Sequence, residues 1–346
     1  MTEAIKCLVW DLDNTLWRGV LLENDEVQLR PEVTHIIRTL DERGILQSIA
    51  SKNDHTKAMQ KLHELGLREF FLHPQINWNS KASSLERIAG SLNIGVDALA
   101  LIDDDPFERE EVAFSLPQVQ CIDAATLEEL IELPRLNPRV VSDDSRQRRQ
   151  MYLSALQRDT VEAEFVGTAE DFLASLDMVL QIGPATEADL IRAEELTRRT
   201  NQLNTTGITY SYAELDQFSR SPQHLLLIAG LTDKFGSYGK VGLVLVECGP
   251  EYWTIKLLLM SCRVMSRGVG GVLISHVLQR ARESVRKVRA DFIPNERNRM
   301  MYVTYKFAGF KELAQPDANR KVLEHDLSHI RGLPDYLKVA IIGQAV

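Results

Sequence analysis

The sequence predicts an α/β protein of two domains, in which a parallel sheet flanked by helices precedes an α+β domain. From residue 5 to about residue 135, short β-branched apolar runs alternate with amphipathic segments of helix length, as a parallel sheet with helices on its faces requires. After about residue 178, several apolar strand-like runs precede a single helical run, which is the order of an α+β domain. The 346 residues, 44% of them hydrophobic, suffice for two cores.

The N-terminal elements follow from the apolar pattern and from the glycines that end it. Strands are predicted at 5–11, 45–51 and 98–104, and helices at 31–44, 55–66 and 81–93. Gly44 and Gly66 close the first two helices because glycine accepts the left-handed conformation found after a helix C-terminus. Ligands of such sheets bind beyond the carboxyl ends of the strands. We therefore expect Asp11, Ser51 and Asp103 at one edge of the sheet.

The C-terminal elements are read in the same way. Strands are predicted at 224–231, 240–248 and 252–261, a glycine-containing hairpin turn within 233–242, and a helix at 270–284. The intervening stretch contains two prolines and then charges of both signs, which we interpret as a linker entering a helix whose charges are solvated. The predicted domain limits are 1–140 for the first domain, 141–178 for the linker and helical connection, and 179–346 for the second domain.

Composition excludes several classes of protein. A net charge of −9 and a pI near 5.5 disfavour nucleic-acid and membrane partners, which need a cationic surface. The four cysteines have no CxxC spacing, so neither a disulfide framework nor a zinc site is predicted. Neither a secretory signal nor an apolar run long enough to span a bilayer is present, and we expect a cytoplasmic protein.

Two pairs of acids follow predicted strands. Asp11 and Asp13 end the first strand in DLDNT, and Asp103 and Asp104 end a later one in LIDDD. Two acids one residue apart point to different sides and can take different roles in one reaction. Asp11 is predicted to be a nucleophile and metal ligand. Asp13 is predicted to be a general acid or base that also offers its main-chain carbonyl to the metal. With Asp103 and Asp104 these groups form a hard oxygen cage suited to Mg²⁺.

Two further side chains complete a phosphoryl-transfer site. Ser51 can donate a hydroxyl hydrogen bond to a phosphoryl oxygen, and Lys81 supplies a cation. Each residue alone is more often a turn or surface residue. Together, in this order and with acids at two strand ends, they indicate catalysis.

These motifs resemble those of the haloacid dehalogenase superfamily of phosphotransferases. DLDNT matches the first motif, and Ser51, Lys81 and the Asp103–Asp104 pair match the second, third and fourth. The resemblance implies a Rossmann-like domain in which Asp11 takes the phosphoryl group and Asp13 is the acid/base. The segments between the motifs are short, so only a minimal cap is expected.

The C-terminal half contains a second candidate site. Arg267, Gly268 and Gly270 lie where a strand passes into a helix, and backbone N–H groups at such a helix start can bind phosphates. They resemble the pyrophosphate-binding turn of GNAT acyltransferases, which hold coenzyme A. With Arg263 they are predicted to bind substrate or a phosphopantetheine arm, although ordinary close packing explains such glycines equally well. Cys262, beside Arg263, is the best candidate for a covalent acyl carrier, and the alternative is a small buried side chain.

Three polar residues are secondary candidates in this half. His276 on the predicted helix is a possible base for Cys262, whereas helical histidines are more often simply half-exposed. Asn201 and Asn204, in TNQLNTT, are predicted either to line a polar pocket for substrate or phosphopantetheine or to cap a helix.

Motifs in both halves together resemble the FkbH-like family. The matching segments are SKND, INWNSK, LNIG, IDDDPFERE, TNQLN, SCRV and NERNRMMYVTYKFAGF, in this order. The resemblance implies a glyceryl transferase/phosphatase of polyketide pathways. Such an enzyme takes D-1,3-bisphosphoglycerate, releases both phosphates and delivers a glyceryl thioester to the phosphopantetheine arm of an acyl carrier protein.

Three other interpretations remain open at this point. The first is a plain Mg²⁺-dependent phosphatase of small metabolites with an appended binding domain. The second is a non-catalytic module that docks a carrier protein, and the third is an N-acetyltransferase. Phosphate release from 1,3-bisphosphoglycerate and binding of acetyl coenzyme A separate them.

Overall fold

The computed structural model describes residues 5–23, 26–200, 202–313 and 319–343. Internal contacts divide the chain into a first unit, Met1–Leu153, and a second unit, Ser154–Val346. Within the described residues no helix combines the length and the apolar character needed to cross a bilayer.

The first unit alternates strands with helices, as the sequence predicts. Its elements, up to the helix that continues into the second unit, are β1 (Cys7–Trp10), β2 (Trp17–Arg18), β3 (Gln28–Leu29), α1 (Val33–Glu42), β4 (Leu46–Ser51), α2 (His55–Glu64), β5 (Gln75–Ile76), α3 (Lys81–Leu92), β6 (Leu99–Asp103), α4 (Pro106–Ser115), β7 (Gln120–Asp123), α5 (Asp143–Arg146) and α6 (Arg148–Glu164). The predicted strands and helices of this half are confirmed, with ends displaced by a few residues.

The sheet of the first unit has the strand order β5-β4-β1-β6-β7, and every pair is parallel. Central β1 is buried along its whole length because it has a strand on each side and helices on the faces. Trp10 is level with Ile49 of β4 and with Ile102 of β6. The residues that follow these strands therefore meet at one edge, as predicted.

The charged stretch between the two halves differs from the prediction of a solvated linker. Arg148 is 5% exposed and donates to the Gly44 carbonyl at 2.7 Å inside the first unit. Arg158 is 1% exposed and forms a two-pronged ion pair with Asp233 inside the second unit, at 2.6 and 2.8 Å. The prediction that these charges are solvated is wrong for these two arginines, because acceptors far along the chain are provided for their guanidinium groups. Asp143 and Arg146 of the same stretch are exposed, as predicted.

The second unit is built on one mixed sheet. Its further elements are α7 (Ala169–Ser175), β8 (Met178–Pro184), α8 (Glu187–Arg199), α9 (Tyr212–Arg220), β9 (His224–Asp233), β10 (Gly236–Cys248), β11 (Trp253–Met260), α10 (Val269–Arg282), β12 (Val288–Phe292), α11 (Arg299–Phe307), β13 (Lys311–Glu312), β14 (Lys321–His325) and β15 (Leu337–Ile341). The predicted strands and helix are confirmed, and the predicted hairpin joins β9 to β10.

Eight strands follow the order β13-β14-β12-β11-β10-β9-β8-β15. The β11–β12 and β8–β15 pairs are parallel and the other pairs are antiparallel. Apolar residues of α10 and α11 form one core with the sheet, and those of α8 and α9 form a second core. The predicted fold class, a parallel α/β domain followed by an α+β domain, is confirmed by these topologies.

Candidate active site

The ends of β1 and β6 place two carboxylates side by side in the first unit. Asp11 follows β1 and donates its backbone N–H to the Ile102 carbonyl of β6 at 2.9 Å. Asp103 ends β6. Asp11 is 6% exposed and Asp103 is fully buried, so both charges are removed from bulk water. Charges buried in this way require partners.

Lys81 is the main partner of these carboxylates. It is the first residue of α3, where the Ser80 side chain caps the helix, and it is 3% exposed. Its Nζ lies 2.9 Å from Asp11 Oδ1 and also contacts Asp103 Oδ2. Lys81 thus lies beside both acids, and its role as a cation for a phosphoryl group stays a prediction.

Glu108 joins the cluster although the sequence analysis did not single it out. Its Oε2 lies 2.5 Å from Lys81 Nζ, and its Oε1 lies 2.8 Å from Nζ of Lys52. The available signal was its place in the first turn of the helix that follows LIDDD, where an acid also complements the helix dipole. Glu108 therefore connects a buried lysine to one at the surface.

The ionisation of the cluster reflects burial and mutual charge. Burial raises the pKa of Asp11 to about 7, an effect opposed by Lys81 and reinforced by Asp103. Burial also raises the pKa of Asp103. Burial opposes the charge of Lys81, but Asp11 and Asp103 outweigh it and raise its pKa. The cluster thus holds a lysinium ion among acids that resist ionisation without further positive charge.

Three carboxylates in this cluster could hold a metal ion. One oxygen each of Asp11, Asp103 and Asp104 lies within 4.8 Å of the others. Asp104 is fixed by Thr15, whose hydroxyl donates to Asp104 Oδ1 at 3.1 Å. An all-oxygen, anionic donor set of this kind fits a hard divalent cation such as Mg²⁺.

The Asp13 carboxylate lies outside this group of three. Its Oδ1 accepts from Trp17 Nε1 at 2.8 Å and from the Leu21 N–H at 3.1 Å, and its Oδ2 accepts from Asn53 Nδ2 at 2.9 Å. Three donors hold the side chain in one orientation, as a general acid or base requires. That Asp13 binds a metal through its main chain stays a prediction.

Ser51 lies where the motif places it, at the end of β4. It is 4% exposed, and its hydrogen bond to the Asp11 carboxylate favours the charged form and so offsets part of the rise that burial causes in the pKa of Asp11. The first unit therefore brings together the side chains predicted for phosphoryl transfer. They are Asp11, Ser51, Lys81, Asp103 and Asp104, with Asp13 held by its own donors.

In the second unit, Cys262 begins a short 3₁₀ turn that is separated from β11 by Ser261. The thiol is partly exposed and donates to Gln202 Oε1 at 3.4 Å. Neighbouring Arg263 donates to the Tyr238 carbonyl at 2.8 Å. The contact of Gln202 was not predicted, because 60 residues separate it from the cysteine.

The glycine turn before α10 has structural explanations. Gly268 has φ +77°, which side chains other than glycine rarely adopt. A Cβ at Gly270 would lie 2.7 Å from Met260 Cε, so close packing requires the glycine. Arg267 is 7% exposed and its Nη2 lies 3.5 Å from Glu162 Oε2. That these residues bind a phosphopantetheine arm stays a prediction.

The secondary candidates are His276, Asn204 and Asn201. His276 is buried in α10, where burial lowers its pKa, and its Nε2 finds no hydrogen-bond partner among the described residues. Its role as a base stays a prediction. Asn204 is fully buried and its Oδ1 accepts from the Thr206 and Gly207 N–H groups, which stabilises a turn. Asn201 lies outside the described residues.

No family model matches the chain. Magnesium-dependent phosphatase 1 of Homo sapiens is 28% identical over 141 residues, which cover 35% of this chain and 79% of the human protein. The N-terminal part of BF1531 from Bacteroides fragilis, a solved phosphatase domain complexed with Mg, is 30% identical with a TM-score of 0.34. That match covers 39% of this chain and 40% of that chain, so this chain spans less than half of it.

Other solved structures are similar to this chain at low sequence identity. The GNAT domain of S. lividans PAT is 18% identical with a TM-score of 0.35, and the match covers 42% of this chain and 89% of that domain. Part of the chain is thus similar in sequence to a protein named as a magnesium-dependent phosphatase. The carboxylate cluster of the first unit has the acidic oxygen ligands that a magnesium-dependent reaction needs.

Proposed function

We propose that this chain is an enzyme that uses Mg²⁺ and converts D-1,3-bisphosphoglycerate to a glyceryl thioester on an acyl carrier protein, as glyceryl transferase/phosphatases of polyketide biosynthesis do. Two chemistries are required, acyl transfer to a thiol and hydrolysis of a phosphate monoester. The first is assigned to Cys262 and the second to the cluster around Asp11.

The proposal is supported above all by the contacts of Lys81 with Asp11 and Asp103. Its Nζ lies 2.9 Å from Asp11 Oδ1, and the third carboxylate, that of Asp104, has an oxygen within 4.8 Å of both acids. A phosphate monoester is inert and needs a positioned nucleophile together with neutralisation of its charge. These side chains supply both requirements at one edge of the sheet.

Acyl capture is the first step. The thiolate of Cys262 attacks the carbonyl carbon of the acyl phosphate, a C–S bond forms, and the C–O bond to phosphate breaks. The electron pair leaves with inorganic phosphate, which is a good leaving group, so no cofactor is needed. The product is a 3-phosphoglyceryl thioester.

Removal of the second phosphate follows at the Asp11 cluster. Asp11 attacks phosphorus, Asp13 donates a proton to the departing glyceryl oxygen, and Asp13 then takes a proton from the water that hydrolyses the aspartyl phosphate. Ser51 and Lys81 bind phosphoryl oxygens. Mg²⁺ held by Asp11, Asp103 and Asp104 would neutralise charge on the phosphoryl group. Exchange onto the thiol of the carrier is nearly isoenergetic and completes the reaction.

The test is intact-mass analysis of a phosphopantetheinylated carrier protein after incubation with the enzyme, Mg²⁺ and 1,3-bisphosphoglycerate. A glyceryl adduct without phosphate is the expected product. An unmodified carrier, with phosphate released into solution, would refute the acyl-transfer half. No phosphate release at all would refute both halves.

The alternative is a plain Mg²⁺-dependent phosphatase with an appended binding domain, which the similarity to the human phosphatase favours. Cys262→Ala separates the two functions. We expect this variant to form no acyl adduct on the carrier, although it still hydrolyses a simple aryl phosphate. Acyl label retained on the enzyme without this thiol would remove Cys262 from the reaction.

A further inference from the structure

Strands β11 and β12 of the second unit are paired at one end and separate midway along β11. Their parallel register covers only Trp253–Ile255 against Val288–Ala290, whereas β11 runs on to Met260. Beyond Ile255 the edge of β11 therefore loses β12 as a partner. Unpaired edges of this kind accept extended, amide-bearing segments by adding them as a strand.

A segment of the chain itself already lies along this edge. We call Leu203–Thr206 the cleft segment. The Thr205 N–H donates to the Leu258 carbonyl at 3.1 Å, and the Met260 N–H donates to the Leu203 carbonyl at 2.9 Å. The Leu258 N–H donates to Thr205 Oγ1 at 3.0 Å. The cleft segment thus satisfies the edge groups of β11 as an added strand would.

The cleft segment is also fixed from the side of β12. The Thr205 carbonyl accepts from the N–H of Ile293, the residue after β12, at 3.0 Å. Asn298 Nδ2 donates to the Asn204 carbonyl at 3.1 Å and to the Ile293 carbonyl at 2.9 Å. Asn204, Thr205 and Asn298 are all fully buried. The segment therefore bridges the two strands where they separate.

The start of α10, at the end of the same strand, is covered as well. The Tyr336 hydroxyl lies 2.7 Å from the position that a Cβ on Gly268 would take, and Glu162 Oε2 lies 3.5 Å from Arg267 Nη2. A carboxylate paired with this guanidinium competes with any phosphate and repels it. The edge of β11 is thus paired with the cleft segment, and Arg267 at the start of α10 is paired with Glu162.

We propose that the cleft segment is a specificity device that excludes an extended amide-bearing arm with a pyrophosphate, such as coenzyme A, from the second unit. Acyl groups then do not reach this unit from acyl coenzyme A. In the proposed function, on which this last step rests, a carrier thiol approaches Cys262 from outside the cleft, at the end of β11 where Gln202 contacts the thiol.

Calorimetric titration of the full chain with coenzyme A and with acetyl coenzyme A tests the exclusion. We expect no saturable binding up to about 1 mM ligand. Saturable binding anywhere in that range would overturn the proposal. The outcome is independent of carrier acylation, so a failed glyceryl transfer and a failed exclusion are distinguishable.

Amide hydrogen exchange of the same protein tests the occupancy of the edge. The amides of Leu258 and Met260 should exchange slowly in the free protein because the cleft segment accepts their hydrogens. Exchange at the rate of an exposed loop would show that the edge is open and would overturn the proposal.

Asn298→Ala removes the side chain that fixes the segment. We expect exchange at Leu258 and Met260 to accelerate by about tenfold or more, and coenzyme A binding to appear when Glu162→Gln is added to free Arg267. Ser219→Ala on the exposed face of α9 should change neither. Thr205→Val, which keeps the side-chain volume and removes one acceptor, replaces Asn298→Ala if that variant does not fold. Faster exchange without any gain of binding by the Asn298→Ala/Glu162→Gln protein would contradict the excluding role.

Discussion

At the residue scale, the most consequential side chain is Lys81, because two buried carboxylates share its charge. Placing a cation among acids costs desolvation, which the contacts with Asp11 and Asp103 offset. Glu108 adds a third carboxylate and connects Lys81 to Lys52. The result is a charge cluster in which a bound divalent cation would favour the ionised form of the acids.

Lys81→Met should destabilise the first unit, since Asp11 and Asp103 lose their buried counter-charge. Removing one partner of a buried ion pair costs about 3 kcal/mol or more. Added Mg²⁺ should restore part of this loss by binding the freed carboxylates. Urea unfolding with and without Mg²⁺ measures both effects.

Exposed Lys57 gives the matched control, because Lys57→Met should change stability by less than about 0.5 kcal/mol. A Lys81→Met protein as stable as the parent and indifferent to Mg²⁺ would contradict the account of the cluster.

At the scale of the elements, the start of α10 depends on one backbone conformation. Gly268→Ala places a Cβ where φ is +77° and where the Tyr336 hydroxyl lies 2.7 Å away, so we expect a loss of about 1–3 kcal/mol. Gly271→Ala, in the first turn of the same helix, meets nothing within 4 Å and should be neutral or stabilise by up to about 1 kcal/mol. Thermal unfolding of the pair checks the contrast, and equal effects would contradict it.

The β9–β10 hairpin depends on the ion pair of Asp233 with Arg158. Burial of Asp233 opposes its charge, but hydrogen bonds from Arg158 and Tyr238 outweigh burial and hold the pKa of this carboxyl below its usual 3.8. Because the folded pKa is depressed, the stabilisation is complete above the unfolded value and is lost as the pH falls through the folded value.

Asp233→Asn should therefore destabilise the second unit by about 3 kcal/mol at pH 7, since Arg158 stays buried without its counter-charge. The difference from the parent should narrow as the pH falls below about 4. Hydrogen exchange of peptides from β9 and β10 measures this loss of stability within the hairpin at each pH. Asp216→Asn, which removes an exposed ion pair with Arg220, serves as the control, and a pH-independent difference would count against the linkage.

At the scale of the whole molecule, the proposed reaction divides its two steps between two sites. Asp11→Asn should leave acyl capture intact and block removal of the second phosphate, so a phosphoglyceryl adduct should accumulate on Cys262. Intact-mass analysis after incubation with 1,3-bisphosphoglycerate detects it, and Cys262→Ala introduced into the same variant should abolish it. Undiminished phosphatase turnover by Asp11→Asn would contradict the assignment of the nucleophile.

Much of this architecture was predictable from local pattern. Apolar runs and helix-ending glycines identify the strands and helices of the first unit, and the order of DLDNT, Ser51, Lys81 and LIDDD indicates phosphoryl transfer. Glu108 and Gln202 were not predicted. Their partners lie 27 and 60 residues away, at Lys81 and Cys262 respectively, and no local pattern reports contacts of that range.

The sequence by itself determined the type and order of the elements and the presence of acids at strand ends, because side-chain periodicity and turn residues are local properties of the chain. Only the tertiary structure decided which groups meet. The strand order β5-β4-β1-β6-β7 brings Asp11 level with Asp103, and Lys81 enters from the start of α3. The separation of β11 from β12 likewise allows Leu203–Thr206 to fill the cleft. Such contacts follow from sheet order and register, which depend on the packing of the whole domain.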